Sequence, residues 1–168
     1  MSKLDVKDFR SQFTFGLARQ YQGMWIMLRQ GIEKIPDDQW RFGKNKWFYS
    51  LRVYHIIETV EFYARDTHEG MEWGKRLGKV NWWEEISAEA ASLLITKKAA
   101  LKYLAEMEKE IIKLLKVCSD EDLLKQDGFH WFSSIFEKLL YCLRHSIFHV
   151  GELAFALHGL ECERIKWS

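Results

Sequence analysis

The sequence predicts an all-α protein, a four-helix bundle with one long connection between its second and third helices. Three observations predict it. Apolar residues recur at helical spacing through four long stretches, no stretch alternates with the period of a strand, and the 168 residues include one proline. Four long helices joined by one long crossover are a bundle layout, and bundle cores are where metal sites are built from facing helices. One domain, residues 1–168, is expected, with chain enough for a full core.

The first helix is expected over 6–33, where Phe9, Phe13, Leu17, Met24 and Leu28 recur at helical spacing and Asp5 or Asp8 offers a cap. Gly16, Gly23 and Gly31 each weaken a helix by up to about 1 kcal/mol against alanine, unless they allow close helix approach. Ile35-Pro36-Asp37-Asp38 ends it in a turn carrying Trp40. The second helix is expected over 50–68 with Ser50 as its N-cap. Val53, Ile57, Val60 and Ala64 take one face; Leu51, His55 and Phe62 take another, with Glu58 beside them. A lone helical histidine such as His55 is ordinarily a buried residue bonded to a carboxylate, here Glu58.

Residues 70–86, GMEWGKRLGKVNWWEEI, form the long irregular connection. Trp73, Trp82 and Trp83 suit either a pocket rim or anchors that hold a crossover to the core. The third helix opens at Ser87 and runs to about Val117, with Ala100, Leu104, Met107, Ile111, Leu114 and Cys118 as its seam. Its solvated face is Lys97, Lys98, Lys102, Glu106, Lys109, Glu110 and Lys113. Ser119–Asp122 starts a short helical turn and Asp127-Gly128 breaks the chain. His130 and Trp131 follow in that break, at the mouth of a site or simply in a loop.

The fourth helix starts at Ser134, whose spacing to Glu137 fits a capping box, and Gly159 fits its C-terminal cap. Phe136, Leu139, Leu143, Ile147, Val150, Ala154 and Leu157 form a broad apolar face. Glu137, Arg144, Gly151 and His158 form the stripe that meets water. The third face carries Tyr141, His145, Phe148, His149, Glu152 and Ala156, so both of its histidines are expected to point inward. Side chains at i and i+4 stand one above the other on a helix, and two neutral imidazoles stacked so can chelate a divalent metal. The spacing alone is weak: six histidines in 168 residues give about 0.2 such pairs by chance. The plain alternative is a pair of core histidines bonded to neighbours.

Composition narrows the function classes. With 25 basic and 24 acidic residues and a net charge of +1, no basic stripe stands out and no nucleic acid is expected as a partner. Cys118, Cys142 and Cys162 lack the spacing of a disulfide framework or a cysteine zinc site. The stretch MSKLDVKDFR lacks the apolar core of a signal peptide and no run of 18 apolar residues occurs, so a cytoplasmic chain without a membrane partner is expected. A ferritin-like di-iron centre needs Glu three residues before each of two ligand histidines. Arg52, Arg65, Asp127, Cys142, Ser146 and Phe155 occupy those positions, which excludes it. Neither a nucleophile elbow nor a phosphate-binding glycine loop is present.

His55 in the second helix, with His145, His149, Gly151 and Glu152 in the fourth, resembles the DinB-like (YfiT-like) metalloenzyme superfamily over essentially the whole chain. The resemblance implies that His55, His145 and His149 are the protein ligands of a divalent metal (nickel, zinc, manganese or iron), with open positions for water or substrate. It implies a small-molecule substrate and an enzyme that activates a thiol or water nucleophile, one version being a thiol S-transferase using bacillithiol, mycothiol or glutathione. Glu152 stands where many relatives carry Gln, as a candidate partner of a ligand imidazole or a fourth ligand. A non-catalytic metal- or small-molecule-binding bundle is the alternative, and a homodimer stays open beside the monomer. The cavity before the metal is expected to be apolar and aromatic, walled by Tyr141, Phe148, Leu51 and Phe62.

Overall fold

In the computed structural model, which describes residues 4–44, 46–78 and 87–168, the protein is all-α apart from one minimal hairpin. The helices are α1 (Gln12–Lys34), α2 (Tyr49–Tyr63), α3 (Ala88–Leu94), α4 (Lys97–Val117), α5 (Asp120–Leu124) and α6 (Ile135–Gly159). The hairpin pairs β1 (Gly43–Lys44) with β2 (Trp47–Phe48) antiparallel, Gly43 opposite Phe48, two short strands that sequence periodicity does not register. Among the described residues no helix is long and apolar enough to cross a membrane.

Capping chemistry sets several boundaries away from the expected ones. Asp5 caps only a 3₁₀ turn, Val6–Asp8, by accepting from the Lys7 N–H at 3.0 Å. The long helix starts afresh because Ser11 accepts from the Thr14 N–H at 3.0 Å, which leaves Phe13 71% exposed instead of in the core. Ser50 is not a cap. It lies inside α2, fully buried, with its hydroxyl donating to the Ser92 carbonyl at 3.3 Å, and α2 ends at Tyr63 rather than 68. The expected third helix is two: Ile95 is extended and buried, and Thr96 opens α4 by accepting from the Ala99 N–H at 3.1 Å. Gly159 lies within α6, and the left-handed residue after it is Glu161, with φ 56°.

The four long helices pack in pairs: α1 against α4 and α6, and α2 against α4 and α6. One apolar core joins them, through Tyr21, Trp25 and Leu28 of α1, Val53, Ile56 and Ile57 of α2, Leu104 and Ile111 of α4, and Leu139 and Leu153 of α6. Burying such a side chain stabilises by about 1.5–3 kcal/mol. Helix α2 is enclosed: from Tyr49 to Val60 only Arg52 and His55, one turn apart, are not buried.

Gly31 and Gly23 of α1 make room for close neighbours, the chain after α6 at both and Tyr49 of α2 at Gly31 as well, 3.3 Å from a Cβ there. A Cβ at Gly16 would meet open space. The chain after α6 returns along α1, where the Lys166 N–H donates to Gln30 Oε1 at 2.8 Å and Lys34 Nζ to the Arg164 carbonyl at 2.7 Å. A Cβ at Gly31 would come within 3.3 Å of Ile165 Cδ1, and one at Gly23 within 2.8 Å of the Ser168 carbonyl oxygen. Between α2 and α3, the Gly74 N–H donates to Glu58 Oε1 at 2.6 Å, and Arg76 pairs with Glu61 at 3.0 Å and Glu106 at 2.5 Å. That stretch is therefore tied to α2 and α4 by polar contacts. Trp82 and Trp83 lie outside the described residues.

Candidate metal centre

Helix α6 buries Lys138, Leu139, Cys142, Ser146, His149, Val150, Leu153 and Leu157. This arc is rotated from the apolar face expected from the sequence, because α6 packs on α1 and α2 together. Small residues sit at its centre, and the Ser146 hydroxyl folds back onto the Cys142 carbonyl at 2.9 Å, hiding its polarity. The stripe of Glu137, Arg144, Gly151 and His158 is exposed, as the spacing predicts. Phe148 is 65% exposed and touches the site only edge-on to His149, so it is no cavity wall.

His55 of α2 meets His145 and His149 of α6. His145 Nε2 lies 3.3 Å from His55 Nε2 and 3.2 Å from His149 Nε2. One ligand nitrogen from each ring falls within 4.8 Å of the others, and the three could hold a metal ion. Hydrogen bonding alone accounts poorly for this geometry. A ring nitrogen carries either one proton or one in-plane lone pair, yet His145 Nε2 faces two ring nitrogens. Tetrahedral ligands at roughly 2.0–2.1 Å from zinc stand about 3.3–3.4 Å apart, close to the 3.3 and 3.2 Å from His145 to His55 and His149, with one nitrogen of each ring within 4.8 Å of the others. The donor set of three imidazoles therefore fits a divalent metal.

Burial disfavours the charged rings. It pushes the His55 pKa down to about 3, helped by His145, His149 and Arg52, and that of His145 to about 4, helped by His149 and Arg52 against Glu152. Neutral rings with free lone pairs are what metal ligation requires. The carboxylate of Glu152 lies 2.5 Å from His149 Nδ1, so that nitrogen carries the proton and Nε2 keeps its lone pair for the centre. His145 Nδ1 is buried without a partner among the described residues.

Glu58 does not pair with His55. It accepts instead from the Tyr54 hydroxyl at 2.9 Å and from Gly74. Leu51 is buried, while Phe62 packs on Tyr63, Trp73 and Phe129 rather than beside His55. Tyr141 stacks on His145 at 6.4 Å between centroids, and its ring meets Tyr63 at 5.4 Å. From Tyr63 the aromatic row runs on through Phe129 to Trp131. His130 belongs to that far end, 5.2 Å from His68 and 5.0 Å from Trp131, and does not join the other three histidines.

Sequence reasoning missed one neighbour of the centre, Arg52: its Nη1 lies 3.4 Å from His149 Nδ1 and its Nε 3.4 Å from Glu152 Oε2. Its position one turn before His55 on an otherwise buried helix was the available signal. With Arg52 and Glu152 at its edge, the centre is flanked by charge and is not the chiefly apolar cleft expected. No family model matches the chain, and no curated protein matches it.

Proposed function

We propose that the chain is a metal-dependent enzyme of the DinB-like kind. In this reading α1, α2, α4 and α6 form a four-helix bundle, and the stretch between α2 and α3 is its long crossover. His55, His145 and His149 would hold one divalent ion (nickel, zinc, manganese or iron) through Nε2, and a small molecule would bind beside it. The observation that carries the reading is the convergence of three Nε2 atoms at 3.2 and 3.3 Å around His145. A metal there supplies Lewis acidity, lowering the pKa of a thiol or water so that thiolate or hydroxide is the nucleophile at neutral pH.

The chain's own residues prepare that chemistry. Burial keeps His55 and His145 unprotonated, Glu152 holds the His149 proton at Nδ1, and Tyr141 packs over His145. A thiolate displacing a leaving group from an electrophilic carbon, as chloride from monochlorobimane, would make this an S-transferase; hydroxide displacing the leaving group of an ester or amide would make it a hydrolase. The test is product formation from a low-molecular-weight thiol and monochlorobimane, compared with the uncatalysed rate. We expect turnover that disappears with EDTA and in His149→Ala. A metal-loaded protein without turnover on thiol or hydrolytic substrates would leave the non-catalytic metal-binding bundle as the reading.

A further inference from the structure

We propose that Arg52 makes this centre a site for carboxylate-bearing small molecules, the guanidinium holding the carboxylate while the ligand's donor atom faces the three histidines. This rests on the metal-centre reading above. The argument begins with the protons. If the three Nε2 atoms present lone pairs to a common ion, each neutral ring carries its proton on Nδ1. His149 Nδ1–H donates to Glu152 Oε2 at 2.5 Å. It cannot also accept from Arg52 Nη1, 3.4 Å away, so two donors face each other there.

The rest of the guanidinium is scarcely better served. Arg52 Nε is buried and has no hydrogen-bond partner among the described residues. Glu152 Oε2 stands 3.4 Å from it, within ion-pairing reach but not aligned as an acceptor, and is already engaged by His149. Trp47 holds the group from one side, its ring centroid 5.9 Å from Arg52 Cζ, and the side chain is 22% exposed. A planar fork of donors is thus fixed beside the centre without a well-aligned acceptor, and each buried donor left unmade is costly.

A carboxylate can pair with the part of the guanidinium left exposed, since its two oxygens match a fork of donors and charge-assisted pairs of this kind are the strong ones. Charge points the same way. A divalent ion and Arg52 against Glu152, with neutral imidazoles, leave the centre cationic, so an anionic ligand is favoured over a neutral one.

The experiment is titration calorimetry of the metal-loaded protein with 3-mercaptopropionate and with 3-mercapto-1-propanol, the same thiol lacking the carboxylate. The wild type should bind 3-mercaptopropionate at least about tenfold more tightly, the low end for a charged hydrogen bond. Arg52→Gln should erase the preference with metal content unchanged. Arg52→Lys, which keeps charge without the fork, should reduce it and carries the test if the glutamine variant does not fold. Equal affinities in the metal-loaded wild type, or a preference that survives in Arg52→Gln, would overturn this inference alone. A wild type that takes up no metal would overturn the centre and this inference with it.

Discussion

Replacing Glu152 separates its charge from its role as an acceptor. The carboxylate accepts from His149 Nδ1 at 2.5 Å, and the side chain is 32% exposed. Losing a partner that orients a ligand imidazole typically costs 10–100-fold in metal affinity, about 1.4–2.8 kcal/mol. Glu152→Ala removes the acceptor and should fall near the upper end. Glu152→Gln keeps an oxygen within reach of Nδ1 but gives up the charge, and neutral hydrogen bonds are about half as strong as charge-assisted ones. Solvent already screens part of that charge, so the glutamine variant should lose about tenfold or less, retain most of its metal and show reduced activity. Zinc dissociation constants from competition with a chromophoric chelator at neutral pH measure this, with circular dichroism checking helix content. Unchanged affinity in Glu152→Ala, or a glutamine variant weaker than the alanine one, would refute the reasoning.

Acid should destabilise the metal-free protein from about pH 6.5 downward. The folded His55 and His145 titrate near 3 and 4, whereas their unfolded counterparts titrate near 6.5, so the unfolded state binds more protons across that window and stability falls with pH. The slope is at most about 1.4 kcal/mol per pH unit for each ring, less for the more exposed His145. Urea denaturation in EDTA at pH 7 and 5.5 should show a smaller fall in His55→Gln than in the wild type; equal falls would contradict the assignment. Lys138 is 2% exposed, pairs with Asp127 and donates to the Arg65 carbonyl at 2.7 Å, clasping the 125–132 loop to the end of α2. Lys138→Met removes the charge partner of Asp127, which keeps the Phe129 N–H at 3.0 Å, and should cost about 3–5 kcal/mol. At roughly 2–4 °C per kcal/mol for a domain of this size, calorimetry should show a drop in Tm of about 6–20 °C, and a shift under 2 °C would refute the clasp.

How much of the site was legible depended on the range of the interaction concerned. The pairing of His145 with His149, and the exposed stripe from Glu137 to His158, follow from helical periodicity and need no tertiary information. Meeting His55 requires the register of α2 against α6, for which the sequence offers resemblance and no local pattern. For Arg52 the sequence offers only a charge one turn before His55, because its role depends on which His149 nitrogen carries the proton and on the neighbour across the interface. The burial errors share one cause. Hydrophobic periodicity tells that a face is apolar but not how wide the covering neighbour is, so Phe13, expected in the core, and Phe148, expected in the cavity wall, lie 71% and 65% exposed. By residue type Ser50 is a better cap than Thr96. Only the Ser50 bond to the Ser92 carbonyl, and the Thr96 bond from Ala99, show which of them starts a helix.

The central claim is that three imidazoles gather one metal ion, and metal content per chain tests it most directly. Protein purified without a polyhistidine tag and dialysed against metal-free buffer should carry about one divalent ion by elemental mass spectrometry. His145→Ala and His149→Ala should abolish it, and His158→Ala, exposed on the opposite stripe of α6, should not. No bound metal in the wild type, or equal loss in His158→Ala, would contradict the account.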